Sequence, residues 1–165
     1  MTGARTTAVR RLATPVSILT VSHEGRLHGT TASTTTLVST RPLILGTSLR
    51  AGSVLGELAI AAGWFTVNVL GGGQAELARW FADSSRPPGA AQFDGFAWRP
   101  DPLTTAPLLE GTLAHYSCRG AGRIAVGDHE VLLGRVVESD TGSGDPLLSF
   151  AGGLRTLTGR DGTTP

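Results

Sequence analysis

The chain has 165 residues, 40% of them hydrophobic and 16% charged, which fits one globular domain with a sizeable core and leaves little room for a second. The formal net charge is +1 and no run of like charge occurs, so nothing marks the chain for nucleic acid or an anionic membrane; the partners expected are small molecules or another protein. All 14 basic residues are arginine, which excludes Schiff-base lysine and P-loop lysine chemistry.

In chain order, the polar stretch from Thr2 to Arg11 has no apolar segment of the kind a signal peptide carries. Residues 5–13, with Val9 and Leu12 among arginines, predict a short amphipathic helix lidding one end of the core and stopping near Thr14-Pro15, since the residue before proline is biased away from α. Then β-branched runs broken by Gly and Pro predict strands over 16–21, 27–31, 34–38 and 43–47, with a hairpin turn at His23-Glu24-Gly25. A helix is predicted over 53–62, where Val54, Leu55, Leu58 and Ala62 are helically spaced between a capping Ser53 and a stop at Gly63. Residues 64–70 alternate as a strand, and 74–82 predict a second short helix burying Leu77, Trp80 and Phe81. Residues 84–107 hold five of the nine prolines together with Phe93, Phe96 and Trp98, the composition of a long ordered excursion pinned by aromatic side chains. Strands return over 111–119, 123–126, 129–139 and 146–150. Many short strands, two short helices and glycine-rich connections predict a mainly β fold, a closed or half-closed antiparallel barrel. The organisation expected is an N-terminal helix or arm over 1–14, one domain over 15–157 and a frayed tail over 158–165. With the single Cys118 and no apolar run near the roughly 20 residues of a membrane span, the expected location is the cytoplasm.

The densest polar cluster runs from His28 to Thr36, with six hydroxyl residues in the seven positions 30–36. These hydroxyls and backbone N–H groups suit the polar edge of a flat heterocycle or the oxygens of a sugar-phosphate chain, and they equally suit the wet face of an ordinary sheet. At Thr47 to Ser53 a strand ends and a helix begins, gathering Ser48, Arg50 and Ser53 near a helix N-terminus where an anion is favoured. The plainer alternative is that Ser53 only caps the helix and Arg50 only faces solvent. Gly127-Asp128-His129 leads into an apolar strand, and an imidazole beside a carboxylate there can orient a substrate or simply sit in a turn. His23, His28 and His115 lack metal-ligand spacing, so no metal is expected. Gly120 to Ala125 matches G-x-G-x-x-A, but strands rather than a helix follow, so the dinucleotide reading is rejected. Cys118, inside a core strand, reads as a buried small residue and not as a nucleophile.

Seven segments in order resemble the flavin reductase family of two-component flavin monooxygenases: 15–21, 28–39, 41–45, 65–70, 76–82, 107–111 and 127–136. The resemblance covers about residues 8–157. It implies a six-stranded antiparallel Greek-key split β-barrel of the FMN-binding type, usually a homodimer, with FMN or FAD near the subunit interface. It places Thr31, Ala32, Ser33 and Thr34 at the isoalloxazine and ribityl chain, Ser48, Arg50 and Ser53 near the phosphate, and His129 by the nicotinamide of NADH or NADPH. The activity implied is an NAD(P)H:flavin oxidoreductase that passes reduced flavin to a partner monooxygenase or halogenase. Two other readings are a flavin enzyme acting directly on an organic substrate and a non-catalytic cofactor-binding subunit. Relatives carry basic and aromatic groups near the C-terminus where this chain has Ala151, Gly153 and Leu154, a departure that bears on nicotinamide more than on flavin.

Overall fold

The computed structural model describes residues 7–157. The first six residues of the expected N-terminal arm and the expected tail over 158–165 lie outside the described residues.

The centre of the fold is β2 (Ser17–His23), buried on both faces because its alternation serves two cores. Leu19 and Val21 point to one side, onto α1 (Val54–Ala62); Val16, just before the strand, and Ile18 point to the other, toward α2 (Ala75–Ala82) and the long excursion. Around β2 runs a sheet of seven strands: β3 (Arg26–Ala32), β2, β6 (Trp64–Val69), β9 (Ala114–Val126), β10 (His129–Thr141), β5 (Leu43–Arg50) and β4 (Thr36–Thr40), in that order. Every neighbouring pair is antiparallel. The mainly β antiparallel architecture agrees with the expectation; the six-strand count does not. The ladder has seven strands and is not closed, with β3 and β4 as its edges. It curls instead: just beyond β3, Thr34 Oγ1 donates to the Ser48 carbonyl of β5 at 2.7 Å, and the Thr35 and Thr47 hydroxyls meet at 2.9 Å.

Helix α1 fills the concave side of this curl, packing Leu55, Leu58 and Ala59 against Leu45, Leu49, Phe65, Val67, Cys118 and Leu132. Its start and stop are those the sequence dictates: Ser53 Oγ accepts the Gly56 N–H at 3.2 Å, and Gly63 takes φ 73°. Helix α2 covers the outer side of β2 and β3 with Leu77, Ala78 and Phe81. Trp80 is half-buried rather than buried, because its indole N–H reaches out to the Gln92 carbonyl at 2.8 Å.

The excursion after α2 holds a short ribbon of β7 (Trp98–Pro100) with β8 (Pro107–Leu109). Its aromatic anchors behave as expected, with Phe93 tilted against Phe81 at 5.1 Å and Trp98 at 5.7 Å between ring centroids, and Phe96 against Trp80 at 6.0 Å. Underneath, buried Asp101 accepts hydroxyls from Thr66 and Ser117 at 2.8 and 2.6 Å and the Leu103 N–H at 2.8 Å. Asn68 ties β6 to β2 and β8 through Ile18, Thr20, Pro107 and Leu109.

Three further differences have local causes. Residues 114–126, expected as two strands, form one, because the glycines at 120 and 122 are accommodated in the β10 ladder beside a register shift. A small sheet of β1 (Thr14–Pro15), β11 (Leu147–Phe150) and β12 (Gly153–Thr156) includes a hairpin around Ala151 and Gly152, whose φ values of 53° and 79° suit a tight two-residue turn. The described part of the N-terminal helix, residues 7–9, does not lid the core: Val9 and Leu12 are exposed, and this segment contacts the rest through the Arg10 carbonyl, which accepts the Ala151 N–H.

Candidate functional site

Edge strand β3 carries the site. Gly29 donates its N–H to Gln92 Oε1 at 3.1 Å, and its carbonyl accepts from the Arg86 guanidinium, so both its polar groups point away from β2. A side chain at Gly29 has no room: a Cβ would come within 2.7 Å of the Phe81 ring. By the alternation of an antiparallel pair, Thr31 likewise turns its N–H and C=O off the ladder, toward the open edge.

Two cavities flank this edge and share Ala82 in their lining. The larger, about 680 Å³, lies where β3 meets α1 and the excursion, and its polar lining is Arg26, His28, Thr30, Arg50, Ser53, Ser84, Arg86 and Gln92, with no carboxylate. The smaller, about 330 Å³, is lined by Thr31, Ser33, Ala78, Arg79, Ser149 and Leu154, among others. Leu154 also packs in the outer core. Leu154, one of the positions where the resemblance led to the expectation of a basic or aromatic group, is therefore an apolar wall.

The expected site residues divide between these spaces. Arg50 and Ser53 come together in the larger cavity; Thr31 and Ser33 line the smaller one. The Thr31 hydroxyl donates to the Ala78 carbonyl at 2.7 Å, and the Thr34 hydroxyl to Ser48, so both are committed as donors inside the chain. Ala32 sends its methyl into the core. Ser48 lines neither cavity, but its carbonyl ties it to Thr34. Ser53 is a real cap, and the first turn of α1 already faces an internal anion: the buried Glu130 Oε1, without a hydrogen-bond partner, sits where a side chain on Gly56 would be. His129 stands outside both cavities, directly opposite Arg50 across the β10–β5 ladder, with Nδ1 2.8 Å from Asp128 Oδ1. That hydrogen bond, followed by the imidazole's charge, holds the exposed Asp128 carboxyl below its usual range.

Sequence reasoning passed over Arg26, Arg86 and Gln92, counted Thr30 only as one hydroxyl of the 28–36 cluster and gave His28 no role. The signal was the alternation itself, since Arg26, His28 and Thr30 share one face of β3 while Gly29 and Thr31 take the other. Burial, then Arg86, then Arg26 push His28 down to about 4, so it is neutral at physiological pH. Cys118 is a protonated thiol, pushed up to about 12 by burial and by Asp101. Among the described residues no group of three or more His, Cys, Asp or Glu side chains converges as a metal site, and no helix is long and apolar enough to cross a membrane.

A curled antiparallel sheet plugged by one helix, with a carboxylate-free arginine cavity beside its edge strand, defines a small mainly β protein with a positively charged cavity. Residues 9–158 match the model of the flavin reductase like domain, and the chain belongs to that family. It is 37% identical to the NADPH-flavin oxidoreductase of Streptomyces viridifaciens, over 90% of this chain and 77% of that one. It is 35% identical to the NADH-dependent FAD reductase of Streptomyces globisporus, over 85% and 76%. Its fold superposes on the flavin reductase component of a bacterial two-component tryptophan halogenase with a TM-score of 0.88 at 28% identity, covering 95% of this chain and 98% of that one.

Proposed function

We propose that the protein is an NAD(P)H:flavin oxidoreductase that reduces FMN or FAD and releases it to a separate oxygenase or halogenase. The observation that carries this reading is the arginine-lined, carboxylate-free cavity at the N-terminal turn of α1, with the recess at Thr31 and Ser33 on the other side of β3 and Ala82 lining both. Such a cavity fits a phosphate: Arg50 supplies a charge-assisted donor, and no carboxylate in the lining opposes the ligand's charge. The off-ladder N–H and C=O of Thr31 suit the pyrimidine edge of the isoalloxazine, with the backbone of Ala32, Ser33 and Thr34 alongside, and Ser53 stands at the phosphate end, whereas Ser48 lies outside both cavities. Flavin and nicotinamide supply the hydride chemistry between them, and the protein contributes stacking, orientation and electrostatics. His129, beside Arg50 on the sheet face, is assigned to positioning NADH or NADPH.

The reading includes a split-barrel homodimer in the cytoplasm. Support for the dimer comes from a continuous apolar face on the outside of β4, β5, β10 and β9: Val38 lies over Gly46 beside Val131 and Leu133, with Ile124 opposite Val131 and Val126 opposite His129. The same face carries Arg50 and His129 at its rim, so a second copy would stand next to the site.

Under anaerobic conditions, catalytic amounts of protein with NADH or NADPH should bleach an excess of added FMN or FAD. No bleaching with either nicotinamide removes the reductase assignment. A yellow protein that keeps its flavin through purification yet fails this assay would instead favour a flavin enzyme acting directly on an organic substrate.

A further inference from the structure

The larger cavity holds more positive charge than one phosphate requires. Arg50 and Ser53 come from the β5–α1 junction, whereas Arg26 and His28 come from β3 and Arg86 from the excursion. Arg86 is a fixed charge: its guanidinium donates to the Asp83 and Gly29 carbonyls and to Gln92 Oε1 and lies over Phe81. The nearby Asp83 carboxylate is turned to the N–H and hydroxyl of Ser85, at 2.8 and 2.7 Å. Arg26 is exposed at the β2–β3 hairpin, and among the described residues no carboxylate pairs with it.

His28 is set between these cations as a neutral donor. Gln92 Oε1 accepts both the Gly29 N–H and Arg86 Nε, which fixes its amide so that Nε2 donates to His28 Nδ1 at 3.2 Å. The ring proton therefore resides on Nε2. The apolar part of the lining includes Leu55, Leu58, Pro87 and Pro88, surfaces suited to a flat base.

We propose that Arg26, His28 and Arg86 form a second phosphate subsite, so that the cavity takes the adenosine-phosphate end of a dinucleotide in addition to the phosphate at Arg50. The inference rests on the reductase reading above. The shared chemistry is a phosphate attached to adenosine, and it has two sources: the second phosphate of FAD, or the 2′-phosphate of NADPH.

Arg26 is the residue to change, because it is exposed at the β2–β3 hairpin and has no ion pair among the described residues. Arg26→Ala and Arg26→Glu would be compared with the parent protein for FMN and FAD dissociation constants by flavin fluorescence, and for NADH and NADPH KM values at saturating flavin. Arg26→Ala should weaken the phosphate-richer ligand of one pair by about 5–10-fold relative to its partner, as expected for one partly exposed charge-assisted contact. Arg26→Glu should weaken it further. A selective loss of FAD over FMN assigns the subsite to the pyrophosphate; a selective loss of NADPH over NADH assigns it to the 2′-phosphate. Both ratios staying within twofold in both variants would overturn the subsite while leaving flavin reduction by the parent protein intact. A parent protein that neither binds flavin nor oxidises NAD(P)H would remove the reductase reading, and this subsite with it.

Discussion

His129 and Arg50 face one another across adjacent strands, one at a strand start and one at a strand end, with neither side chain buried. A half-exposed imidazole hydrogen-bonded to an exposed carboxylate contributes little to stability, since both groups stay in water. Its expected cost on removal is therefore functional. His129→Ala should raise the KM for nicotinamide by about 5–10-fold, the worth of roughly one hydrogen bond, with the flavin dissociation constant and the melting temperature within error of the parent. An unchanged KM takes His129 out of the mechanism. Thr31 behaves oppositely: its hydroxyl is spent on the Ala78 carbonyl, so its value to a ligand lies in its main chain. Chemically identical hydroxyls at Thr31 and Thr34 were thus indistinguishable from ligand donors until their acceptors in α2 and β5 were placed.

At the scale of elements, the excursion is fastened to the sheet through one carboxylate. Burial raises the Asp101 carboxyl, but donors from Ser117, the Leu103 N–H, Thr66 and Thr104 outweigh that and hold it below the ordinary range. Removing the acceptor strands several buried donors, so Asp101→Ala should cost about 3 kcal/mol, roughly 10 °C in Tm. The sign with pH follows from the depressed value in the folded state. The contribution is complete above the ordinary Asp value of about 4 and is lost as pH falls through the lower folded one. The Tm gap between the parent and Asp101→Ala should thus be constant from pH 7 to about 5 and shrink below about 4. A gap that stays constant down to pH 2.5 would show that the carboxylate is not what holds the excursion. Because Gln92 and Arg86 belong to the same excursion and cap the β3 edge, loosening it should also weaken flavin binding.

At the scale of the molecule, the exposed apolar face on β4, β5, β9 and β10 is the least settled surface of a single copy. Val38 and Ile124 are 53% and 55% exposed. In light scattering the protein should run at twice its 17.0 kDa chain mass, and Val38→Glu with Ile124→Glu should bring it to one copy. Retention of the dimer by that double variant would place the interface elsewhere.

The sequence by itself determined the local order of this protein. β-branched alternation marked the strands, Ser53 and Gly63 bounded α1, Phe93, Phe96 and Trp98 pinned the excursion, and seven ordered segments carried the family. These are near-neighbour properties, set by propensity, capping and period, and a single chain displays them directly. The seventh strand of the ladder, the open edge at β3 and the arginine cavity are different in kind. Arg26, Arg50 and Arg86 lie far apart along the chain; Arg50 stood out by its place before α1, but Arg26 and Arg86 each alone read as an ordinary surface cation. Only the curl of the sheet around α1, which brings β5 beside β3 and folds the excursion over that edge, gathers their charges into a space without a carboxylate.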